Sequence, residues 1–442
     1  MPGHDSSPSS TATAGGKGAP QGALLVTFLT VFIDLLGFGI VLPVMPRQAV
    51  GYLDALGLSP AAVGAAIGLL FSAFSLMQFL FSPVWGRLSD RFGRRPVLLV
   101  SLAGSVVFYA LYGLAVTLPV ERAGMAIGLM LLSRIGAGIA GASVGTAAAV
   151  IADCTTPQNR ARGMALIGIA FGAGFTLGPL IAYAGMRAFA DRPWAVGAIA
   201  SALSAVALVF AVTVFRETRD PSNKAGKDFF SLRRSARVLA LPALGTLVLV
   251  SFMSIFAFAN FESILARFTE SALGLTDDDN FLVFAAIGAV LLLAGGSYRP
   301  LAKRLPETRL LATGMVLLIL GLGGVGAVAW AIHARGVAGP DVPTSLRWAF
   351  YLASALGVWG FAFVNPSVSA LISRHADPSN QGEVLGVNQS FSSLGRILGP
   401  FCGSVLFALH PSHVLPLVVA VATLVLVALL LPRVDRQSRS GA

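Results

Sequence analysis

The chain is short of charge and nearly free of cysteine. Only 12% of its 442 residues are charged while 55% are hydrophobic, and its mean hydropathy is +0.79. A water-soluble surface on a chain of this length needs far more charge, so the composition places the protein in a membrane. The two cysteines, Cys154 and Cys402, have no metal-ligand spacing between them. We therefore expect no disulfide, no metal site and no cofactor.

Catalytic chemistry is also poorly represented. No paired His/Glu or Asp/Asp constellation occurs on one helical face, which argues against an enzyme. Two catalytic-looking strings, GAGIAG at 136–141 and GASVG at 141–145, match a dinucleotide fingerprint and a nucleophile elbow. Both motifs require a strand that leads into a helix, whereas this segment is predicted to be one glycine-rich membrane helix, so we reject them.

Apolar runs broken by charged or turn residues occur twelve times. Helices are expected, because a span needs roughly 20 residues to cross about 30 Å of hydrocarbon and an open strand would leave its backbone unsatisfied there. The predicted spans are approximately 22–46, 61–85, 96–118, 123–152, 163–186, 194–215, 239–267, 280–297, 309–333, 346–372, 383–408 and 411–432. The first span is too long for a cleaved signal peptide.

The excess of basic residues has a topological explanation. Lys and Arg number 31 against 20 Asp and Glu. Of the 31, 22 lie on the side of the membrane that both tails share, 7 lie on the other side, and Arg134 and Arg396 lie within spans. This asymmetry follows the positive-inside rule and predicts cytoplasmic termini. The positive charge therefore requires no nucleic-acid partner.

The longest hydrophilic interruption divides the spans six and six. It predicts a cytoplasmic linker at 216–238 between bundles at 21–215 and 239–432, with a disordered tail at 1–20 and a second tail at 433–442. Two similar bundles that rock against each other expose a central site to each side in turn. We predict an all-α integral membrane protein with twelve transmembrane helices in two pseudo-symmetric six-helix bundles.

An internal repeat supports the division into halves. A shift of 221 residues aligns the segment 159–182 and its preceding loop with a segment of the second half. The matched residues are Pro157 with Pro378, Asn159 with Asn380, Gly174 with Gly395, Gly178 with Gly399, and Pro179 with Pro400.

The loop between the second and third spans is dense in charge. It reads GRLSDRFGRRPVLLV from Gly86 to Val100, and it could be an ordinary basic loop. It resembles the major facilitator superfamily signature Gly-x-x-x-Asp-Arg-x-Gly-Arg-Arg, whose positions are filled by Gly86, Asp90, Arg91, Gly93, Arg94 and Arg95. The resemblance implies a latch at the cytoplasmic side of the interface between the halves, carried by Asp90, Arg91 and Arg95. The second half has Ala302 where Asp90 would fall, so its latch is degenerate.

The first span resembles one particular branch of this superfamily. Asp34 followed by Leu-Leu-Gly-Phe-Gly, and then Leu-Pro-Val-Met-Pro from Leu42, is similar to the first helix of tetracycline-resistance drug:proton antiporters. LLSRIGAGIAGA around Arg134 is similar to the fourth-helix motif that handles protons in this family, and Asp153 fits the end of that helix, which the resemblance places with the latch. Glu262 fits a seventh-helix glutamate.

A fifth-helix antiporter motif is also similar. It covers GAGFTLGP at 172–179, with Gly174, Gly178 and Pro179 as its motif residues. The chain departs from the motif at Ala182-Tyr183, where a Gly-Gly pair is usual.

Asp34 stands near the middle of an otherwise apolar span. A charged side chain at the centre of a bilayer costs about 2.5–3.5 kcal/mol, so an intramembrane carboxylate predicts function. Desolvation favours its protonated form, which allows it to carry a proton. The resemblance and the burial cost together assign proton coupling to Asp34 and Arg134. The alternative is that Asp34 is a structural ion-pair partner of Arg134 or Arg396.

A polar stripe crosses the eleventh span. Asn388, Ser392 and Arg396 recur every four residues and share one helical face, with Gln389 beside them. A polar stripe in lipid must face a cavity or another helix, so we expect these side chains to line the substrate cavity. The further residues expected to line it are Asn260, Glu262 and Asn365. A pure packing role is the alternative.

The favoured hypothesis is a monomeric, proton-coupled efflux carrier for amphipathic drugs such as tetracycline in a bacterial inner membrane, with small-molecule substrate and protons as its partners. A carrier of one metabolite or organic anion is the second hypothesis, which Arg396 favours because a cation suits an anionic substrate. A transporter-like receptor or scaffold is a third.

Overall fold

The computed structural model describes residues 21–155, 160–219, 238–376 and 381–430. Fourteen α-helices lie wholly within these segments, and two short 3-10 helices, Val120–Arg122 and Gly339–Asp341, lie in loops. The α-helices are α1 Gln21–Val41, α2 Met45–Ala55, α3 Pro60–Phe92, α4 Arg94–Ala115, α5 Ala123–Gly141, α6 Val144–Cys154, α7 Arg160–Ala188, α8 Ala195–Val214, α9 Pro242–Ser271, α10 Asp277–Ala302, α11 Glu307–Ala334, α12 Thr344–His375, α13 Gln381–Leu409 and α14 Leu415–Ala428.

Each predicted span corresponds to one helix or to two consecutive helices. Within the described residues, nine helical segments are long and apolar enough to cross a membrane, and α1 with α2 makes a further span that is bent by 45°. The two remaining predicted spans correspond to α7 and to the shorter apolar helix α14, so the prediction of an all-α membrane protein with two pseudo-symmetric halves is confirmed. The predicted linker and tails fall largely outside the described residues, so the domain boundaries stay a prediction.

The first span is broken where the sequence places two prolines. Residues 42–44 separate α1 from α2, and Pro46 brings no backbone N–H to continue the helical ladder. The carbonyl oxygen of Pro43 accepts a hydrogen bond of 2.7 Å from Asn280 Nδ2 of the second half. Backbone exposed by a helix break inside a membrane needs such a partner. The break therefore serves the interface between the halves.

The fourth span is broken between α5 and α6, where a single helix was predicted. Side chains of neighbouring helices bind carbonyl groups of the last turn of α5. Gln78 Nε2 donates to the carbonyl oxygen of Gly141 at 3.0 Å, and Ser101 Oγ donates to that of Ala140 at 2.8 Å. Trp85 Nε1 donates to a third carbonyl, that of Ile139. These bonds replace the helical ladder at the break.

The internal repeat appears as equivalent helix crossings. In the first half α7 packs on α1, where Gly178 lies against the backbone of Gly39. In the second half α13 packs on α9, where Gly399 lies against the carbonyl of Phe256 and the amide of Asn260. Glycine at these crossings allows the two backbones to approach closely. The repeat therefore encodes the same crossing in both halves.

The two faces of the molecule differ in how the halves meet. We call the face where α3 joins α4 and where α8 ends the linker face, and the opposite face, where α9 joins α10, the distal face. Ser72 Oγ on α3 donates to Ile397 on α13 at 2.6 Å, and Gly288 on α10 lies against Thr176 on α7. These contacts lie at the middle and the distal ends of the helices. The halves are joined at the distal face.

Candidate functional site: the cleft between the two halves

Arg134 is the largest fully buried side chain of the first half. It is 2% exposed, and its Nε donates to the carbonyl oxygen of Leu70 at 3.3 Å. Its guanidinium carbon lies 4.6 Å from the ring centre of Phe74 and 5.4 Å from that of Phe38. Aromatic faces and a carbonyl thus compensate part of the cost of burying this charge. The first half holds a fixed positive charge among aromatic rings.

Asp34 belongs to α1, one helical turn before Phe38. Its side chain lies outside the described part of the structure. The prediction that Asp34 and Arg134 act together in proton coupling therefore stays a prediction.

Glu262 on α9 and Arg396 on α13 place opposite charges deep in the second half. Each of the two side chains is half-buried. Nη2 of Arg396 donates to Ser393 Oγ at 3.3 Å. Ala266, one turn beyond Glu262, accepts a hydrogen bond from the first half, as does Ile397, the neighbour of Arg396. Each of the two residues therefore lies near a contact between the halves.

Three of the predicted cavity residues are buried: Asn260, Ser392 and Asn388. Asn260 has no exposed surface and packs against Gly403. In the repeat it occupies the position that Gly39 holds in the first half. Ser392 Oγ lies 3.1 Å from Ser251 Oγ on α9. Asn388 is also buried. Ser392 of the stripe thus contacts α9, and the assignment of these residues to the substrate cavity stays a prediction beside the alternative of a packing role.

The remaining two differ from this group. Gln389 is exposed on α13, so its place in a substrate cavity stays a prediction. Asn365 is half-buried on α12, directly before Pro366.

An arginine that the sequence analysis missed closes the distal face. Arg47 on α2 is 6% exposed at its side chain and reaches from the first half into the connection between α9 and α10. Its bonds are to Ala266 O at 3.1 Å, Leu275 O at 3.2 Å, Thr269 Oγ1 at 3.1 Å and Asp277 Oδ1 at 2.7 Å. Arg187 on α7 pairs with Asp278 beside it. We call this set the distal clamp. The sequence feature that could have identified this arginine is its position directly after the Pro-x-x-Pro break, where it is the only basic residue.

The charged loop on the linker face is centred on Arg94, and the latch role assigned to this loop stays a prediction. Arg94 binds two carboxylates: Nη1 lies 2.5 Å from Asp90 Oδ1, and Nε lies 3.1 Å from Asp153 Oδ2. The predicted latch residue Arg91 is exposed, and its ring contact is with Phe92. Arg95 Nη2 binds the carbonyl of Val212 instead. Gly93 turns the chain between α3 and α4 and so brings Asp90 and Arg94, four residues apart, into contact.

Gly86 and Gly93 frame this loop. No atom lies within 4 Å of a Cβ built at Gly86. Gly93 has φ +106°, a conformation that other residues rarely adopt, and a Cβ there would collide with the carboxylate of Glu217.

Glu217 is a second residue that the sequence analysis missed. Its Oε1 accepts from the backbone N–H of Arg94 at 2.8 Å and its Oε2 from that of Arg95 at 3.0 Å, so it caps the start of α4. Burial alone would raise the pKa of Glu217, but hydrogen bonds from the backbone of Arg219, Arg94, Arg95 and Thr218 outweigh it and lower the pKa. The sequence feature that could have identified Glu217 is an acidic residue between arginines, in Arg-Glu-Thr-Arg just after the sixth span.

Two similar helical bundles with ionisable side chains inside them are typical of a membrane transporter. The sequence pattern of the Major Facilitator Superfamily matches residues 27–400 and 300–441. The chain belongs to this superfamily, and it is a transporter rather than an enzyme. The superfamily resemblance inferred from the loop at Gly86 is thereby confirmed.

Several relatives match over most of their length. The chain is 31% identical to the class C tetracycline resistance protein of Escherichia coli over 401 residues, which is 88% of this chain and 91% of that protein. It is 28% identical to major facilitator superfamily domain-containing protein 10 of Bos taurus, over 85% of each chain. The solved structure of the human organic anion transporter MFSD10 aligns with a TM-score of 0.65 and 25% identity, covering 93% of this chain and 99% of that one. The resemblance to tetracycline-resistance transporters is confirmed.

Proposed function

We propose that the protein is a proton-coupled exporter of amphipathic organic compounds, tetracycline among them. The observation that carries the proposal is the presence of ionisable side chains within both bundles. Arg134 in one half and Glu262 with Arg396 in the other are ionisable groups within a membrane interior, and such groups mark substrate and proton pathways. Phe258, one turn before Glu262, stacks on Phe361 with ring centres 3.9 Å apart. Aromatic rings beside charges suit a compound that is both apolar and ionised.

The proton enters the proposed cycle at Asp34. A carboxylate in the membrane binds either a proton or the positive side of a substrate, and each ligand favours a different state of the carrier. A proton from outside therefore displaces substrate, and substrate from inside displaces the proton. Similarity to the tetracycline resistance protein of E. coli supports this assignment, since that protein's name specifies resistance to a drug of this kind.

The direction of transport follows from the predicted topology. The linker face carries the greater share of Lys and Arg, so we place it in the cytoplasm. The distal clamp then faces outside, and the conformation described is one in which the halves are joined on the outer side. We place the carrier in a bacterial inner membrane as a monomer, with linker and bundle boundaries as the sequence predicts.

Proton release on binding tests this function. Purified protein in detergent at a fixed pH near neutrality is mixed with tetracycline and with lipophilic cations, and released protons are counted. We expect release from the wild type and none from Asp34→Asn, with Glu121→Gln, an exposed loop carboxylate, behaving as the wild type. Substrate binding without any release in the wild type would contradict proton coupling at Asp34.

Transport of an organic anion is the second candidate. Arg396 is a half-buried cation beside the cleft, which suits an anionic substrate. The relative of solved structure is named an organic anion transporter and covers almost the whole chain. Uptake of labelled organic anions and of tetracycline into proteoliposomes, under the same imposed pH gradient, distinguishes the two candidates.

A further inference from the structure

The connection between α10 and α11 on the linker face is strongly basic. It carries Arg299 in the last turn of α10, Lys303 and Arg304 in the turn between the helices, and Arg309 in the first turn of α11. All four side chains are exposed. We call these four residues the basic patch.

The equivalent loop of the first half has carboxylates of the chain itself as partners. Asp90 and Asp153 both bind Arg94. The carboxylate of Glu217 accepts hydrogen bonds from the backbone at the start of α4. The positive charge of that loop is therefore balanced largely within the protein.

The second half has no such arrangement in the part of the chain that the structure describes. Ala302 replaces the aspartate of the loop, and Glu307, the carboxylate of this connection, pairs with Arg374 at 2.6 Å. None of the four side chains of the basic patch forms an ion pair there. The basic patch thus presents positive charge that these residues leave unbalanced.

An exposed face of α11 shows at which depth of the membrane the basic patch lies. Arg309, Val316, Leu320 and Trp330 share this face and are all exposed, and no charged residue lies between Arg309 and Trp330. The 21 residues from Arg309 to Trp330 rise by roughly 32 Å along the helix, close to the thickness of the hydrocarbon layer, about 30 Å. Arg309 therefore lies at the headgroup level of one leaflet, as Trp330 does at that of the other.

We propose that the basic patch is a binding site for an anionic glycerophospholipid. Its phosphate pairs with Lys303, Arg304 and Arg309, and an acyl chain lies along Val316 and Leu320. The lipid phosphate supplies the negative charge that carboxylates supply in the first half. Basic residues directly beside the end of a membrane span are the usual attraction for anionic headgroups.

A lipid fits this place better than a soluble phosphate does. The basic patch continues directly into an apolar face, on which Val316 is 54% and Leu320 58% exposed. Charge beside apolar surface matches the two parts of a phospholipid, whereas a soluble phosphate would contact the charge alone. Arginine also binds phosphate oxygens through two parallel hydrogen bonds.

The test compares two lipids that differ in headgroup charge and share their acyl chains. Full-length protein in a non-ionic detergent is titrated with dioleoylphosphatidylglycerol or dioleoylphosphatidylcholine, and bound lipid is counted by native mass spectrometry. We expect the anionic lipid to bind more tightly. The triple variant Lys303→Gln, Arg304→Gln, Arg309→Gln should weaken its binding on the order of a hundredfold, because each basic residue near a membrane surface contributes about fivefold. Binding of the phosphatidylcholine should change little.

Two further variants separate the basic patch from net charge. The triple variant Arg122→Gln, Arg192→Gln, Arg335→Gln removes the same charge from exposed positions at the distal face and should leave binding of the anionic lipid unchanged. Arg304→Lys with Arg309→Lys keeps the charge and should retain most of the affinity. Identical elution from size-exclusion chromatography checks the folding of each protein.

Three results would overturn the inference. They are equal affinity for the two lipids, equal loss of binding in both triple variants, and displacement of the lipid by an equimolar amount of glycerophosphoglycerol, its soluble headgroup. The last result would mean that the basic patch binds soluble phosphates without the apolar face. None of the three concerns proton release by tetracycline, so the lipid site and the proposed export function fail separately.

Discussion

Arg374 at the end of α12 forms an ion pair with Glu307 at the start of α11, with Nη2 and Oε1 2.6 Å apart. The equivalent helix ends of the first half carry Asp153 and Arg94, with Oδ2 and Nε 3.1 Å apart. Asp153 and Arg374 are 221 residues apart, which is the offset of the internal repeat. The same ion pair thus occurs in both halves with the charges exchanged. The second half keeps a charged contact on its linker face although Ala302 replaces the aspartate of the signature.

The two pairs should differ in their contribution to stability. The side chain of Arg94 is 11% exposed, whereas that of Arg374 is 67% exposed. Asp153→Asn should cost about 1.5–3 kcal/mol, because it weakens a hydrogen bond to a charged group that is shielded from water. Arg374→Gln should cost only about 0.2–1 kcal/mol, as expected for an exposed pair. Thermal unfolding in one detergent checks the order, and a larger loss for Arg374→Gln would contradict it.

Glu217 should make the protein's stability depend on pH. Glu217→Gln should cost about 0.5–2 kcal/mol at neutral pH, the usual range for loss of a helix N-cap. The pKa of Glu217 is lowered in the folded protein, so its contribution is present above the unfolded pKa and is lost as the pH falls through the folded pKa. Unfolding curves from pH 7 to pH 3 should therefore converge for wild type and variant. A constant difference across that range, with Glu121→Gln as control, would contradict this role.

Arg47→Gln should loosen the distal face. The variant loses charge-assisted hydrogen bonds, each worth about 1.5–3 kcal/mol, that join α2 to the connection between α9 and α10. Spin labels at Glu121 and Asp341, in a protein whose two cysteines are replaced by serine, report the separation of the halves at this face. We expect a longer and broader distance distribution by electron double resonance.

The control for the distal clamp is another arginine of the same face. Arg192 is exposed in the loop between α7 and α8. Arg192→Gln should leave the distance distribution unchanged. An equal response of both variants would mean that loss of positive charge, rather than loss of the clamp, moves the halves.

Two glycines should respond in opposite directions to alanine. A Cβ at Gly178 would lie 2.9 Å from the Cα of Gly39, and a backbone atom cannot move aside as a side chain can. Gly178→Ala should therefore cost about 1–3 kcal/mol, the usual penalty for overpacking. A Cβ at Gly51 in α2 meets nothing within 4 Å, so Gly51→Ala should gain about 0.5–1 kcal/mol. Unfolding temperatures measured side by side test the pair, and destabilisation by both substitutions would argue against the crossing as the cause.

Hydropathy and repeats were sufficient to predict the fold. The apolar runs marked the spans, and the offset that pairs Gly178 with Gly399 marked the halves. The breaks in spans one and four were beyond hydropathy, because Pro43 and Ala142 interrupt helices within runs that remain apolar. Their stability depends on side chains of other helices, such as Asn280, which a local pattern does not contain.

Site prediction from the sequence was less complete. Arg134 and Arg396 stand out because charge is rare within a span, and the structure places both deep in their bundles. The packing of Asn260 and Ser392 between α9 and α13 could not be predicted, because a polar residue gives no sign of which helix face turns toward a neighbour. Arg47 was overlooked because it lies at a span end, where arginine is common, and its partners are distant in sequence.

The acceptors of the distal clamp have a consequence for how sequence variation acts on it. Two of the four hydrogen bonds of Arg47 end on main-chain oxygens, those of Ala266 and Leu275. A peptide carbonyl is present whatever side chain its residue carries, so substitutions at these two positions leave the acceptors in place. Variation at Arg47 itself removes every bond at once. Closure of the distal face therefore depends on one side chain of the first half, that of Arg47. Substitutions of Ala266 or Leu275 in the second half leave the carbonyl acceptors in place.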